Sequence, residues 1–219
     1  MLLKQRGYFA EGEIDETKFI RPDHLVRKVF QYNIHLKQVV IDSVNAVLAP
    51  YEAKLQREAP LIPIPPFRKY KNLYTLHIRH GKGEADFQDS MAFLRPNSTS
   101  LITECILERL KEDDLIFVAS DSTKTKEIIR KHFGDRVITL NSTLKHSSLE
   151  EMEQFSKKDQ RLPIVNALTD MMIASMGNRF LGTHTSTLST MAVMLGKPKE
   201  KYIGRIRDEC FVSHLYLPY

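Results

Sequence analysis

The chain has 219 residues, 42% of them hydrophobic and 27% charged, which suits one or two globular domains with a buried core. Its 32 Lys and Arg against 27 Asp and Glu leave a formal charge of +5, which permits an anionic ligand but lacks the clustered basic face of a nucleic-acid binder. Cys105 and Cys210 are too few and too far apart for a disulfide scaffold or zinc knuckle, and no apolar run reaches the roughly 18 residues of a membrane span or resembles a signal peptide, so a soluble, cytoplasmic protein is expected.

In chain order, Asp23 is placed to cap a helical stretch, and Leu25, Val26, Val29, Phe30, Leu36, Val39, Val40, Val44, Val47 and Leu48 recur at i, i+3, i+4 spacing. Pro50 ends or kinks it. Residues 59–66, with Pro60, Pro63, Pro65 and Pro66, forbid a helix and read as an extended connector, so residues 1–66 form an N-terminal helical region plus linker and 67–219 a second unit. Residues 73–78 suit a strand running into the turn 79–83. A helix over 98–111 buries Leu101, Ile102, Cys105, Ile106 and Leu110. The apolar run 115–119 has the pattern of a strand covered on both faces. Helix 122–133 and strand 136–140 follow, then a polar stretch, 141–161, read as a mobile surface excursion. Pro163 starts a helix whose Leu168, Met171, Met172 and Met176 form a buried stripe ending at Gly177 as a C′ glycine. Phe180 and Leu181 make a short strand, Thr185 opens a helix to Gly196, and 201–203 suit a further strand. Strands alternating with helices predict an α/β fold with right-handed crossovers and a parallel sheet.

Three strand ends carry polar groups, and in a parallel α/β sheet ligands bind beyond the carboxyl ends of the strands. The first is His77-Ile-Arg-His-Gly-Lys-Gly-Glu84. His77 and Arg79 share a face by the strand period of two, and Arg offers a planar fork that pairs with phosphate at two points. Gly81 and Gly83 let a ligand approach the backbone, and Glu84 is suited to act as a general base. The plain alternative is a basic turn with a surface Arg79–Glu84 salt bridge. At the second, Asp121 read by itself is a helix cap more than a chemical group. The third runs from Asp170 to Gly182-Thr-His-Thr-Ser-Thr-Leu-Ser189. A helix start has free N–H groups and about half a positive charge, so hydroxyls beside it complete an anion cradle. One cap would satisfy the helix; the surplus argues for a ligand. Asp170 lies among Leu168, Met171 and Met172 and, if buried, needs a partner. The methionines read as core filling, Lys124, Lys126, Arg130 and Lys131 as a solvated face, and the eight histidines fall into no metal-ligand spacing.

The 77–84 segment closely resembles the His-x-Arg-His/Arg signature of GDP-fucose-dependent fucosyltransferases, most nearly the nodulation-type α1,6 enzymes and more distantly the N-glycan core α1,6 enzymes and protein O-fucosyltransferases. Residues 116–121 resemble the family's second motif, and the Asp170 helix with 180–186 resembles the third. All three occur in the family's order across about 23–196. The resemblance implies a Rossmann-like parallel sheet with flanking helices, like the C-terminal, donor-binding half of a GT-B glycosyltransferase. It implies that His77 and Asp170 contact guanine and that Arg79 binds the β-phosphate and stabilises the leaving GDP. Thr183, Thr185 and Ser186 would line the phosphate cradle. Glu84 would take the acceptor proton in a metal-independent inverting displacement. His80 and Asp121 match motif positions in the donor site, and Lys82 would be a second phosphate contact. The implied partners are GDP-fucose and a glycan acceptor, with no other cofactor. The family's full-length members carry a large N-terminal half, whereas about 23 residues precede the helices here, and Thr190 stands where the core α1,6 enzymes have a basic residue. Those departures set beside the transferase an alternative, a module that binds GDP or a GDP-sugar without transfer. An adaptor using the Tyr- and Leu-rich tail from 202 to 219 is a third reading.

Overall fold

The structure is a computed structural model, and it describes residues 34–62, 67–79, 106–107, 109–140, 161–183 and 186–204. The first helix, α1 (Ile34–Leu48), puts Val40, Val44 and Leu48 four residues apart on one stripe, and all three are buried. Pro50 then sits in the first turn of a short 3₁₀ segment, Ala49–Tyr51, where its missing N–H is harmless. Two strands come next, β1 (Arg57–Ile62) and β2 (Phe67–Ile78). The remaining elements are β3 (Leu115–Ser120), α2 (Thr123–Phe133), β4 (Val137–Thr139), α3 (Arg161–Met176), β5 (Gly177–Thr183), α4 (Thr187–Gly196) and β6 (Glu200–Gly204).

The fold is α/β: a parallel sheet in the order β4-β3-β2-β5-β6, flanked by helices, with β1 added antiparallel to the start of β2. Strand alternation divides the core into two layers. Leu73, Leu115, Phe117, Ala119, Ile138 and Phe180 face α1, α3 and α4. Tyr74, Leu76, Ile116, Val118, Val137 and Leu181 face Ile129 and Phe133 of α2 together with Ile106. All six residues of β3 are buried, as the unbroken apolar run required.

Several expectations are corrected in detail. The proline-rich connector begins instead as a paired strand: β1 bonds to β2 at Arg57–Tyr70 and Glu58–Lys69, and Pro60 falls at the register shift between Glu58 and Ile62, where no ladder donor is lost. α1 packs into the same core, and β1 into the same sheet, as β2 and the elements after it. β2 starts at Phe67, not Leu73, because its polar residues are satisfied in place. The Lys69 amine donates to Gly177 O at 2.9 Å, and Asn72 bonds Gln56 N, Lys54 O and Asp113 O. Gly177 is not a left-handed helix terminator but the first residue of β5. A Cβ there would lie 2.6 Å from Thr75 Cγ2 and 2.7 Å from Leu73 O, so the glycine serves close strand packing. Of the helix expected over 98–111, Ile106 and Leu107 are helical and the rest lies mostly outside the described residues. Arg161 belongs to α3, whereas 141–160 and the start of the N-terminal helical stretch before residue 34 lie outside them altogether. Among the described residues, no helix is long and apolar enough to cross a membrane.

Candidate functional site

The chain leaves β2 toward β3 and β4 on one side and returns to β5 and β6 on the other, so β2 and β5 flank the point where strand order reverses. Connections depart in opposite directions there, which leaves the carboxyl edge between the two strands available to a ligand. The register levels three strand ends: His77 lies beside Ala119 of β3 and beside Gly182 of β5. Neighbouring strands are about 4.8 Å apart, so these ends span roughly 10 Å. The three polar strand ends singled out in the sequence are therefore adjacent.

Thr183 stitches the two central ends together. Its hydroxyl donates to His77 O at 3.0 Å and accepts from the Arg79 N–H at 3.0 Å, while its backbone pairs with Gly204 of β6. One side chain thus replaces a ladder bond where β2 and β5 part. Arg79, just past the end of β2, is exposed at this edge.

His77 is turned inward. It is 7% exposed, and its Nδ1 shares a 2.7 Å hydrogen bond with Ser189 Oγ of α4. Gly182 makes room for that contact, since a Cβ at 182 would lie 2.7 Å from Ser189 Oγ. Ser189 closes the hydroxyl-rich stretch, but the sequence alone assigns it no role. Its placement three residues after Ser186, within the first turn of α4, was the available signal.

α4 begins two residues after the Thr185 expected to open it, with Ser186 in the cap position and Thr187 the first helical residue. Ser186 does not cap through its side chain. Its Oγ is buried and has no hydrogen-bond partner among the described residues. A buried hydroxyl left unpaired costs about 1–3 kcal/mol, so the absence of even the ordinary cap bond is unusual for a serine here. The first N–H groups of α4, which have no acceptor within the helix, lie beside it.

Asp170, on α3, carries another such atom: its Oδ1 is enclosed and has no hydrogen-bond partner among the described residues. Burial pushes its carboxyl up to about 7, against a smaller opposing pull from the Lys126 ammonium. Lys126 is not simply solvated, because its amine donates to Leu140 O at 3.3 Å just past β4, and Arg130 bonds Thr139 Oγ1 at 2.7 Å. Asp121 follows β3, half-buried, at the same edge. The cap of α2 is Ser122, whose Oγ accepts from Thr125 N at 3.2 Å, not Asp121. The structure thus assembles His77, Arg79, Asp121, Thr183 and Ser186 along one edge. His80, Lys82, Glu84 and Thr185 lie outside the described residues.

The sequence matches no model of a known protein family and has no significant match among curated proteins.

Proposed function

We propose that this edge binds the diphosphate of a nucleotide sugar, and that the chain is a fucosyltransferase-like enzyme taking fucose from GDP-fucose to a glycan hydroxyl. The observation that carries the reading is the Thr183 bridge, which holds the Arg79 end of β2 against the strand leading into α4. A guanidinium and a helix start are the fixed charge and dipole that a diphosphate leaving group needs when no metal neutralises it. The unpartnered Ser186 hydroxyl supports it, because a phosphate oxygen would supply the missing acceptor. The strand order supports it as well, being that of doubly wound nucleotide-binding sheets; the finer likeness to the donor half of a GT-B enzyme belongs to this proposal.

In this reading Asp170, once ionised, accepts N1–H and the 2-amino group of guanine, an edge that adenine does not offer. Asp121 would repel phosphate and suits a sugar or ribose hydroxyl. Glu84 takes the proton of the acceptor hydroxyl as its oxygen attacks the sugar carbon and GDP departs with the bonding pair; Arg79 stabilises the charge that builds on the departing phosphate.

Thermal shift with GDP, ADP and UDP tests the donor assignment. A ligand at 100 times its Kd stabilises by about 2.7 kcal/mol, and GDP alone should do so. Equal shifts with all three would remove guanine selectivity. Fucose release or transfer from GDP-fucose, lost in Glu84→Ala, separates an enzyme from a binding module; GDP-selective binding without turnover across an acceptor panel supports the module.

A further inference from the structure

The resemblance gives His77 to the base of the nucleotide. The contacts of its ring suggest different work. Nδ1 is committed to Ser189, a side chain with no exposed surface in the first turn of α4. The backbone just after the His77 Cα is committed too: the His77 carbonyl accepts from Thr183 Oγ1, and the Arg79 N–H donates to that same hydroxyl oxygen. Two hydroxyls, one from β5 and one from α4, therefore clasp the end of β2. Gly182, lying between them, can carry no side chain without meeting Ser189 Oγ.

We infer that His77 is a positioning residue: through Nδ1 and Ser189 it pins the first turn of α4 at a fixed distance from Arg79, and so sets the geometry of the anion cradle. The inference rests on the diphosphate reading of the site and adds to it the residue that keeps its two halves in register. The physical reason is pre-organisation. The free N–H groups of a helix start act on a phosphate only if their direction is fixed before it arrives, and a turn free to shift must be ordered at the expense of affinity. The first turn of α4 holds itself through Ser186 N to Thr183 O and Thr190 N to Ser186 O, whereas Ser189 ties it sideways to another strand.

Amide geometry provides the test. An asparagine side chain puts its amide close to where Nδ1 lies, and by flipping offers either donor or acceptor; glutamine puts its amide at the Nε2 position. Wild type, Ser189→Ala, His77→Asn and His77→Gln are titrated calorimetrically with GDP and with inorganic pyrophosphate, and amide exchange is followed at residues 187–190. His77→Asn is expected within about twofold of wild type in all three readouts. Ser189→Ala and His77→Gln should weaken GDP and pyrophosphate by one common factor, about three- to tenfold for a lost hydrogen bond, with faster exchange at 187–190. A fall in GDP affinity with pyrophosphate binding unchanged makes His77 a base contact and overturns the inference. So does His77→Gln behaving as wild type while His77→Asn fails, or lowered stability with both affinities and exchange unchanged. A wild-type chain that binds neither ligand removes the diphosphate reading itself, and the exchange comparison then decides alone whether His77 pins α4.

Discussion

Asp170 shows how one side chain can be placed against the stability of its own fold. A carboxyl raised from 3.8 to about 7 binds more protons folded than unfolded between those values. Stability from this group is therefore highest in acid and is lost as pH rises from about 4 to 7, after which the cost of the buried charge is constant. Asp170→Asn removes the charge but keeps the shape. The variant should melt above wild type at pH 8, by roughly 2–4 °C for each kcal/mol recovered, and the gain should vanish toward pH 4, as differential scanning calorimetry would show. A gain that is independent of pH would mean that Asp170 is not held above its ordinary range. Under the proposed donor assignment the same substitution should also abolish a preference for GDP over ADP, which nucleotide titration would measure. A charged pair elsewhere is different in kind. Arg179 and Asp114 are both buried, bonded to each other, and Arg179 lies over the Tyr74 ring at 5.2 Å; each has a charged partner, whereas Asp170 Oδ1 has no hydrogen-bond partner among the described residues.

Elements deliver these side chains, and backbone contacts fix where the elements lie. α4 ends at Gly196, where a Cβ would come within 2.8 Å of Ser175 C and Cα on α3. Backbone cannot swing aside as a side chain does. Gly196→Ala should therefore separate α4 from α3 and lower stability by about 1–3 kcal/mol, or roughly 2–12 °C in Tm, measured by thermal unfolding; an unchanged Tm would show that the two helices are not held by this approach. Reading such contacts from sequence alone fails for a definable reason. Gly177 stands at a helix end, where a terminating left-handed glycine is the common use, and only the presence of Thr75 and Leu73 on the neighbouring strand reveals close packing instead. β1 was hidden by its proline, which register rather than composition accommodates. By contrast β3 was legible, since five consecutive apolar residues, 115–119, bounded by polar ones have the pattern of a strand covered on both faces.

At the scale of the molecule, alternation of strands and helices was enough to foresee a parallel α/β sheet, and the three polar strand ends were enough to foresee one shared edge. Strand order was not, because a hydrophobic pattern reports which face a residue takes and not which strand lies beside it. The consequence is concentrated at the centre of the sheet. His77 and Ser189 are 112 residues apart, and their contact exists only because β2 and β5 are neighbours. The same adjacency brings Arg79 to Thr183, across 104 residues. A ligand that bridges these ends would join the two halves of the sheet at the one place where the chain's connections leave in opposite directions.

That bridge is tested most directly by the contribution of the β-phosphate. Titration calorimetry of GDP and GMP against wild type and Arg79→Ala isolates it, because the two nucleotides share the base and the ribose. GDP should bind wild type at least tenfold more tightly than GMP, and Arg79→Ala should lose most of that difference while leaving GMP affinity little changed. Equal affinities for GDP and GMP in wild type, or a GDP advantage that survives in Arg79→Ala, would contradict a diphosphate held between β2 and β5.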